Sequence, residues 1–379
     1  MDGQVAFLGG LDLCDARWDT RRHTLHEPGR INVGGDPYKA FHDIQVAVRG
    51  PVLGVLRELF AEGWGRAKGK AALPADEREC SRPEAFELVG LTKGQGLALR
   101  ARRVAVCRTE LVEVGQPVIC EVQSLFERAI LGAQRLIYIE TQYFTSRAIA
   151  EALCRRLADE AQSKLELVLV MPNGADSPKE DFVLGNRQRA VRRLVAEVAK
   201  HHGHAFRVLM SWEERDSGST QATFIHSKLM IVDDEFVTIG SANLTNRSMR
   251  VDRELNVAYA AQLETEADAE LLRQDIRALR ASLLAEHAGV QDTSAFEAPD
   301  GLMARLDQVC DDTRNKLHCQ ALPEAEDDDP LLMAIFDPSQ PLDWSTIDET
   351  LENAFDNDVG LFRRGVQKLG QRLGAVDVE

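Results

Sequence analysis

Residues 222–260 read A-T-F-I-H-S-K-L-M-I-V-D-D-E-F-V-T-I-G-S-A-N-L-T-N-R-S-M-R-V-D-R-E-L-N-V-A-Y-A. His226 and Lys228 stand two apart, Asp233 follows five residues beyond the lysine, and Gly240-Ser241-Ala242-Asn243 closes the pattern. The period of two in a strand puts His226 and Lys228 on one face, with Phe224, Leu229, Met230, Ile231 and Val232 supplying apolar packing. That combination suits an anion. An imidazole can attack phosphorus or protonate a leaving oxygen, an ammonium beside it neutralises phosphate charge, and a hydroxyl (Ser241) and an amide (Asn243) can hold non-bridging oxygens. An isolated H-x-K reads as a satisfied core histidine and a snorkelling strand lysine. The complete H-x-K-x4-D-x6-G-S-x-N string shifts the reading to chemistry.

Working outward, composition bounds the class. The chain has 379 residues, 44% hydrophobic and 28% charged, enough for two ordinary globular domains. A net charge of −16 and a pI near 5.1 argue against a broad basic surface, so no nucleic-acid partner is expected, although a local cationic pocket fits within an acidic protein. Seven cysteines, at 14, 80, 107, 120, 154, 310 and 319, are irregularly spaced with no C-x-x-C pair. They read as reduced thiols of a cytoplasmic protein, with neither a zinc site nor a disulfide framework. The start has no basic stretch followed by an apolar core, and no apolar run approaches eighteen residues, so membrane contact is expected to be peripheral.

The 222–260 stretch resembles the second H-K-D motif of the phospholipase D superfamily, whose members resemble a fused pair of halves sharing one active site. In residues 1–20, Asp2 and Gly9 repeat the separation of Asp233 and Gly240, so Gly10 matches Ser241 and Asp12 matches Asn243. On that register the lysine and histidine of a first motif would stand five and seven residues before Asp2, ahead of this chain. The expectation is a phospholipase D-like enzyme lacking its first H-x-K and inactive as this chain alone. A misassigned start, a real truncation and a paired homodimer all remain open as causes.

Further segments extend the resemblance. Arg17-Trp18-Asp19-Thr20 resembles the R-[WY]-D-T that follows the first motif, where the aspartate orients a catalytic imidazole; a surface turn is the alternative. Residues 27–43, rich in Gly and Pro, read as a loop facing substrate and ending in His42-Asp43, similar to the family's H-D; a structural His-Asp bond is equally open. Glu140-Thr141-Gln142-Tyr143-Phe144 resembles the family's I-E-[NT]-Q-Y-F element and offers Gln142 to substrate, or else capping groups. Glu254 lies 28 residues beyond His226, where the family places the acid that bonds the catalytic ring. Gly9-Gly10-Leu11-Asp12, R-W-D-T and H-D resemble phospholipase D more than cardiolipin synthase.

Element patterns fill in the rest. Residues 4–13 read as a short buried strand ending at a glycine pair. Pro51–Trp64 reads as a helix with Val52, Val55, Leu56, Leu59 and Phe60 on one face. Helices follow over 121–130, 181–200 and 263–287, with strands at 136–139, 165–171 and 206–210, an alternation that indicates a layered α/β domain. His201-His202-Gly203-His204 sits where a helix stops, which explains three histidines without a metal. The expected fold is therefore α/β: two similar phospholipase D-like layered domains, each a sheet flanked by helices, with the first (1–120) truncated and the second (121–290) holding the complete motif. Residues 291–379 make an acidic linker and helical tail whose basic face could touch anionic lipid.

The resemblance implies a phosphodiesterase that hydrolyses or transfers the phosphatidyl group of phospholipids through a phosphohistidine, without metal or cofactor. His226, Lys228, Asp233, Asn243 and Glu254 form the expected catalytic set; Ser241, Asp12, Asp19 and Gln142 are expected to bind substrate. Partners implied are a phospholipid substrate and a peripheral membrane surface, with no obligate protein partner identifiable. A nuclease, a cardiolipin synthase-like transferase and a non-catalytic lipid-binding remnant are the competing readings.

Overall fold

The computed structural model describes residues 5–67, 96–111, 118–173, 185–214 and 220–321. The expected acidic linker at 324–329, the terminal helix, Asp2 and the turn at 174–179 lie outside the described residues.

The strands are β1 (Ala6–Gly9), β2 (Phe41–His42), β3 (Gln45–Val48), β4 (Ala105–Glu110), β5 (Ile119–Cys120), β6 (Leu136–Glu140), β7 (Glu166–Val170), β8 (Ala205–Glu214), β9 (Thr220–Ala222), β10 (Phe224–Ile225), β11 (Leu229–Val232), β12 (Phe236–Gly240), β13 (Glu254–Ala260) and β14 (Leu317–Cys319). Between them run the helices α1 (Val52–Arg66), α2 (Glu121–Gly132), α3 (Arg147–Ala158), α4 (Asn186–His201), α5 (Asn246–Arg250), α6 (Glu266–Ala288), α7 (Ser294–Glu297) and α8 (Leu302–Asp311). The main sheet has the order β14-β8-β7-β6-β11-β12-β13-β4-β5, with β9 paired to β8. β6, β7 and β8 are parallel, linked by the crossover helices α3 and α4; β11, β12, β13 and β4 are antiparallel. The fold is thus a layered α/β mixed sheet flanked by helices.

Aliphatic runs without alternation explain why this sheet is covered on both faces. In β6, Leu136 and Tyr138 pack into one layer with α6, α7 and α8, while Ile137 and Ile139 pack into the other with α2, α3 and α4. Each such side chain taken from water contributes about 1.5–3 kcal/mol. α6 begins at Thr265, whose hydroxyl accepts from Asp268 N, and ends at Gly289 with φ +72°, a left-handed cap that glycine adopts without strain.

Three differences from the sequence reading have physical causes. The sheet takes in β4 and β5, which lie ahead of residue 121, because β4 continues the antiparallel ladder of β13. Among the described residues of 1–120, β1 and β3 form a separate two-stranded pair, and with Leu53 of α1 they contribute Leu8 and Val48 to the core of the main layer. In α1 only Leu53 is fully buried; Val55 and Phe60 of the expected apolar face are exposed.

The β11–β12 hairpin turns through Asp233 and Asp234, both at φ +57°. Asp is among the residues that tolerate this left-handed conformation. Asp234 is buried and paired with buried Arg280 of α6 at 2.7 Å, and Arg280 also donates to the carbonyls of Phe296 and Glu297.

Candidate active site

Two short strands build the centre. β2 and β10 run parallel, Phe224 N donating to Ala40 O and His226 N to His42 O, each at 2.8 Å. This register carries Asp43 alongside His226, and the ring Nδ1 lies 2.7 Å from Asp43 Oδ2. Phe41 and Phe224 pack beside the imidazole, with centroids at 5.4 and 6.2 Å. Nε2 has no hydrogen-bond partner among the described residues.

His226, Ser227 and Lys228 connect β10 to β11 and are not themselves strand. Ser227 bonds Glu140 beneath the segment. Lys228 is 3% exposed, and its Nζ donates to His226 O. A Cβ on Gly10 would stand 2.6 Å from Lys228 Cδ, so the glycine permits the 9–10 segment to lie against the lysine stem. Burial pushes the ammonium down to about 8, against the opposing charges of Asp43, Glu254 and Asp12.

The G-S-x-N segment follows β12. Gly240 is required there, since a Cβ would meet Asn256 Oδ1 at 2.2 Å. Ser241 Oγ donates to Glu254 Oε2 at 2.5 Å and accepts from Leu255 N. Glu254 is raised above the ordinary carboxylate range by burial, with bonds from Ser241 and Ser248 opposing. Asn243 Oδ1 is buried with no partner among the described residues; turning the amide over would aim its NH2 at the same point. Beside Ser241 and Glu254 opens a cavity of about 220 Å³, lined also by Arg66, Arg108, Arg253 and Glu110.

The structure therefore brings His226, Lys228, Ser241 and Glu254 together, and several expected roles change. Asp43, not Glu254, bonds the His226 ring, because the β2–β10 register delivers Asp43 there while the β13 register sets Glu254 beside Ser241. Asp233 lies at the far end of β11, where its carboxylate accepts from Gln134 N, Arg135 N and Leu136 N at 2.7–2.8 Å; it braces β6 and does not face the site. Asp19 is buried under Arg30, His23 and Phe41 N, not open to substrate. Burial raises its pKa, but the bond from His23 and the other donors leave it lowered overall. Asp12 is exposed and paired with Arg17 at 3.7 Å. Gln142 Nε2 donates to Tyr143 Oη. Of the three histidines near 201–204, His204 bridges Leu165 N and Leu157 O, a bracing role.

Glu286 and His287, at the end of α6, escape the sequence reading entirely. Glu286 bonds His42 at 3.0 Å and His23 at 3.1 Å; His287 Nε2 donates to Glu140 at 2.9 Å. The legible signal was an ionisable pair in the last turn of an amphipathic helix, just ahead of its glycine cap. His23, His42 and Glu286, and likewise His42, Glu140 and His287, have metal-ligand chemistry. Their donor atoms already bond one another, which accounts for the grouping without an ion.

Known proteins similar to this chain share one domain type. Residues 126–276 match the family model described as "Cardiolipin synthase, PLD-like domain". Phospholipase D alpha 1 of Zea mays is 25% identical over 388 residues, covering 79% of this chain and 47% of the relative. Phospholipase D alpha 4 of Arabidopsis thaliana is 26% identical over 366 residues, covering 76% and 46%. The chain spans about half the length of these curated relatives. Among solved structures, the phospholipase D family member Nuc from Salmonella typhimurium is 19% identical with a TM-score of 0.30, covering 44% of this chain and 87% of that one. Phosphatidylserine synthase from Haemophilus influenzae Rd KW20 is 19% identical with a TM-score of 0.33, covering 54% and 44%. The H-x-K and G-S-x-N segments converge in space and the domain match spans them both, so over residues 126–276 this chain is similar to the PLD-like domain of the phospholipase D superfamily.

Proposed function

We propose that this protein is a phospholipase D-type phosphodiesterase acting on the phosphatidyl group of phospholipids. The observation that carries the reading is the His226 ring, tied at Nδ1 to Asp43 at 2.7 Å and open at Nε2 beside buried Lys228. A carboxylate on Nδ1 fixes the tautomer and raises the basicity of Nε2. That nitrogen then gives a proton to the departing alcohol and later takes one from water. The Lys228 ammonium neutralises phosphate oxygens, and the unpartnered Asn243 amide is suited to holding one of them.

The chemistry has two steps. One imidazole attacks phosphorus, forming a P–N bond as the P–O bond to the headgroup breaks; water activated by the other then displaces the histidine. His226 fits the acid and base role. By the resemblance, the second imidazole comes from a partner H-x-K segment facing His226; the match of Gly9 and Gly10 to Gly240 and Ser241, together with Gly10 lying on Lys228, supports such a paired site. No step requires a metal. Transfer to an alcohol in place of water is the second reading, favoured by the description of the matching domain model.

The test is turnover of a short-chain phosphatidylcholine by a protein carrying both H-x-K segments. His226→Ala is expected to lower kcat by about 10³-fold or more, at the upper part of the range for losing a general acid and base, with unchanged melting. Activity within threefold of the parent would overturn the assignment.

A further inference from the structure

Beneath the H-x-K segment lies a buried chain of charged side chains that the proposed chemistry does not touch. Glu140, at the end of β6, is fully buried and accepts four hydrogen bonds. Tyr138 Oη at 2.5 Å and His287 Nε2 at 2.9 Å take one oxygen; Ser227 Oγ at 2.5 Å and His42 Nε2 at 2.9 Å take the other. The second nitrogen of His42 meets Glu286 Oε1 at 3.0 Å. Glu286 in turn receives Arg21 Nε at 2.5 Å and His23 Nε2 at 3.1 Å.

A carboxylate with four donors has its lone pairs occupied, so Glu140 is ionised. Burial alone would raise it, yet His42 and His287 hold it well below the usual range. An imidazole whose two nitrogens both face carboxylates carries a proton on each. Burial acts to lower the His42 pKa, but Glu140 and Glu286 outweigh it and lift the ring to about 10. His287 is driven down by burial and donates from Nε2 as a neutral ring. Glu140 and Glu286 thus flank the two nitrogens of His42, and Arg21 donates to the other oxygen of Glu286.

The location gives this arrangement its consequence. β2 is two residues long and pairs only with β10 among the described residues, a thin backbone anchor. Its His42 carbonyl accepts from His226 N, and the next residue, Asp43, holds the His226 ring. Whatever fixes the His42 side chain fixes the peptide that carries Asp43. We propose that His42 is a positioning residue: clamped as an imidazolium between Glu140 of β6 and Glu286 of α6, it sets Asp43 against the reacting ring of His226. The proposal rests on reading His226 as the reacting imidazole, but its test needs no turnover.

The measurement is hydrogen exchange of the His226 Nδ1–H proton, which the Asp43 bond protects and which NMR resolves at low field. His42→Gln keeps a polar side chain and removes the cation. Exchange of the His226 proton is expected to accelerate at least tenfold while backbone amides of β11 keep their protection. Glu286→Gln keeps the side-chain shape and one accepting oxygen for the His23 and His42 nitrogens, but gives up the acceptor facing Arg21 and one charge; it is the second variant, read if His42→Gln does not fold, and it should accelerate exchange in the same direction by a smaller factor. Asp233→Asn, at the far end of the same strand, should leave the proton unaffected. Parent-like protection in either folded network variant overturns the proposal and leaves the cluster a purely structural one. In an active protein the same variants should lower kcat with little change in KM.

Discussion

At the Val232 end of β11 the chain turns through Asp233 and Asp234, and every oxygen of both carboxylates is taken: three backbone amides on one, the Arg280 and Arg277 guanidinium groups on the other. At the Leu229 end the chain enters from His226-Ser227-Lys228, and polar atoms such as Asn243 Oδ1 and His226 Nε2 have no partner among the described residues. A four-residue strand, about 13 Å long, separates the two. Both ends place ions where water is scarce, but one closes every bond and the other holds reactive groups in fixed positions with bonds to spare. The difference teaches where to look for chemistry in a buried polar cluster: at the atoms left over once bracing is complete.

The comparison breaks most visibly at Arg280. Arg280→Ala leaves the buried Asp234 carboxylate with Arg277 alone, at 3.4 Å, and is expected to cost about 3–5 kcal/mol in urea unfolding, with kcat of the remaining folded protein unchanged. A loss below about 1 kcal/mol would show that the closed end is not what holds α6 to the sheet.

The next effect sharpens the open end. Lys228 is held at about 8, so its ammonium is present below that pH and lost above it. Binding of inorganic phosphate, followed by calorimetry, should weaken by up to about tenfold per unit above pH 8; a flat profile to pH 10 would remove Lys228 from the anion site. For stability the sign differs, because the folded state disfavours the charged lysine: stability rises with pH between about 8 and the ordinary 10.5. His42 works the opposite way, its contribution present in full below 6.5 and lost as pH climbs through about 10.

The smallest effect is set by Asp233→Asn. Losing one charge from a carboxylate that braces three amides should cost about 1 kcal/mol, read from thermal melting, with activity within twofold of the parent. A hundredfold fall in kcat would return Asp233 to the catalytic set.

Much of this was readable from residues. The H-x-K and G-S-x-N segments, the central aliphatic strands and the Gly289 cap of α6 follow from patterns that act locally, through periodicity and backbone conformation. The partner of His226 did not, because a carboxylate's choice of ring is set by strand register between segments far apart in sequence; a spacing of 28 residues suggested Glu254, where the residue following β2, Asp43, is the partner. Asp233 misled for a related reason, since a motif aspartate at a left-handed turn looks alike whether it serves catalysis or caps a neighbouring strand. Glu286 and His287 were hidden because helical periodicity registers apolar faces and is silent on a polar pair buried at the helix end.

His226 and Asp43 are 183 residues apart. Closing so long a loop is entropically costly, so the two-residue strands that bring the pair together are expected to form after the large sheet offers a surface to dock on. The sheet's own ladder within 136–260 is more local. Assembly of the fold and assembly of the reactive pair are thus separate events in time, and a chain that has already acquired its secondary structure has yet to acquire its chemistry.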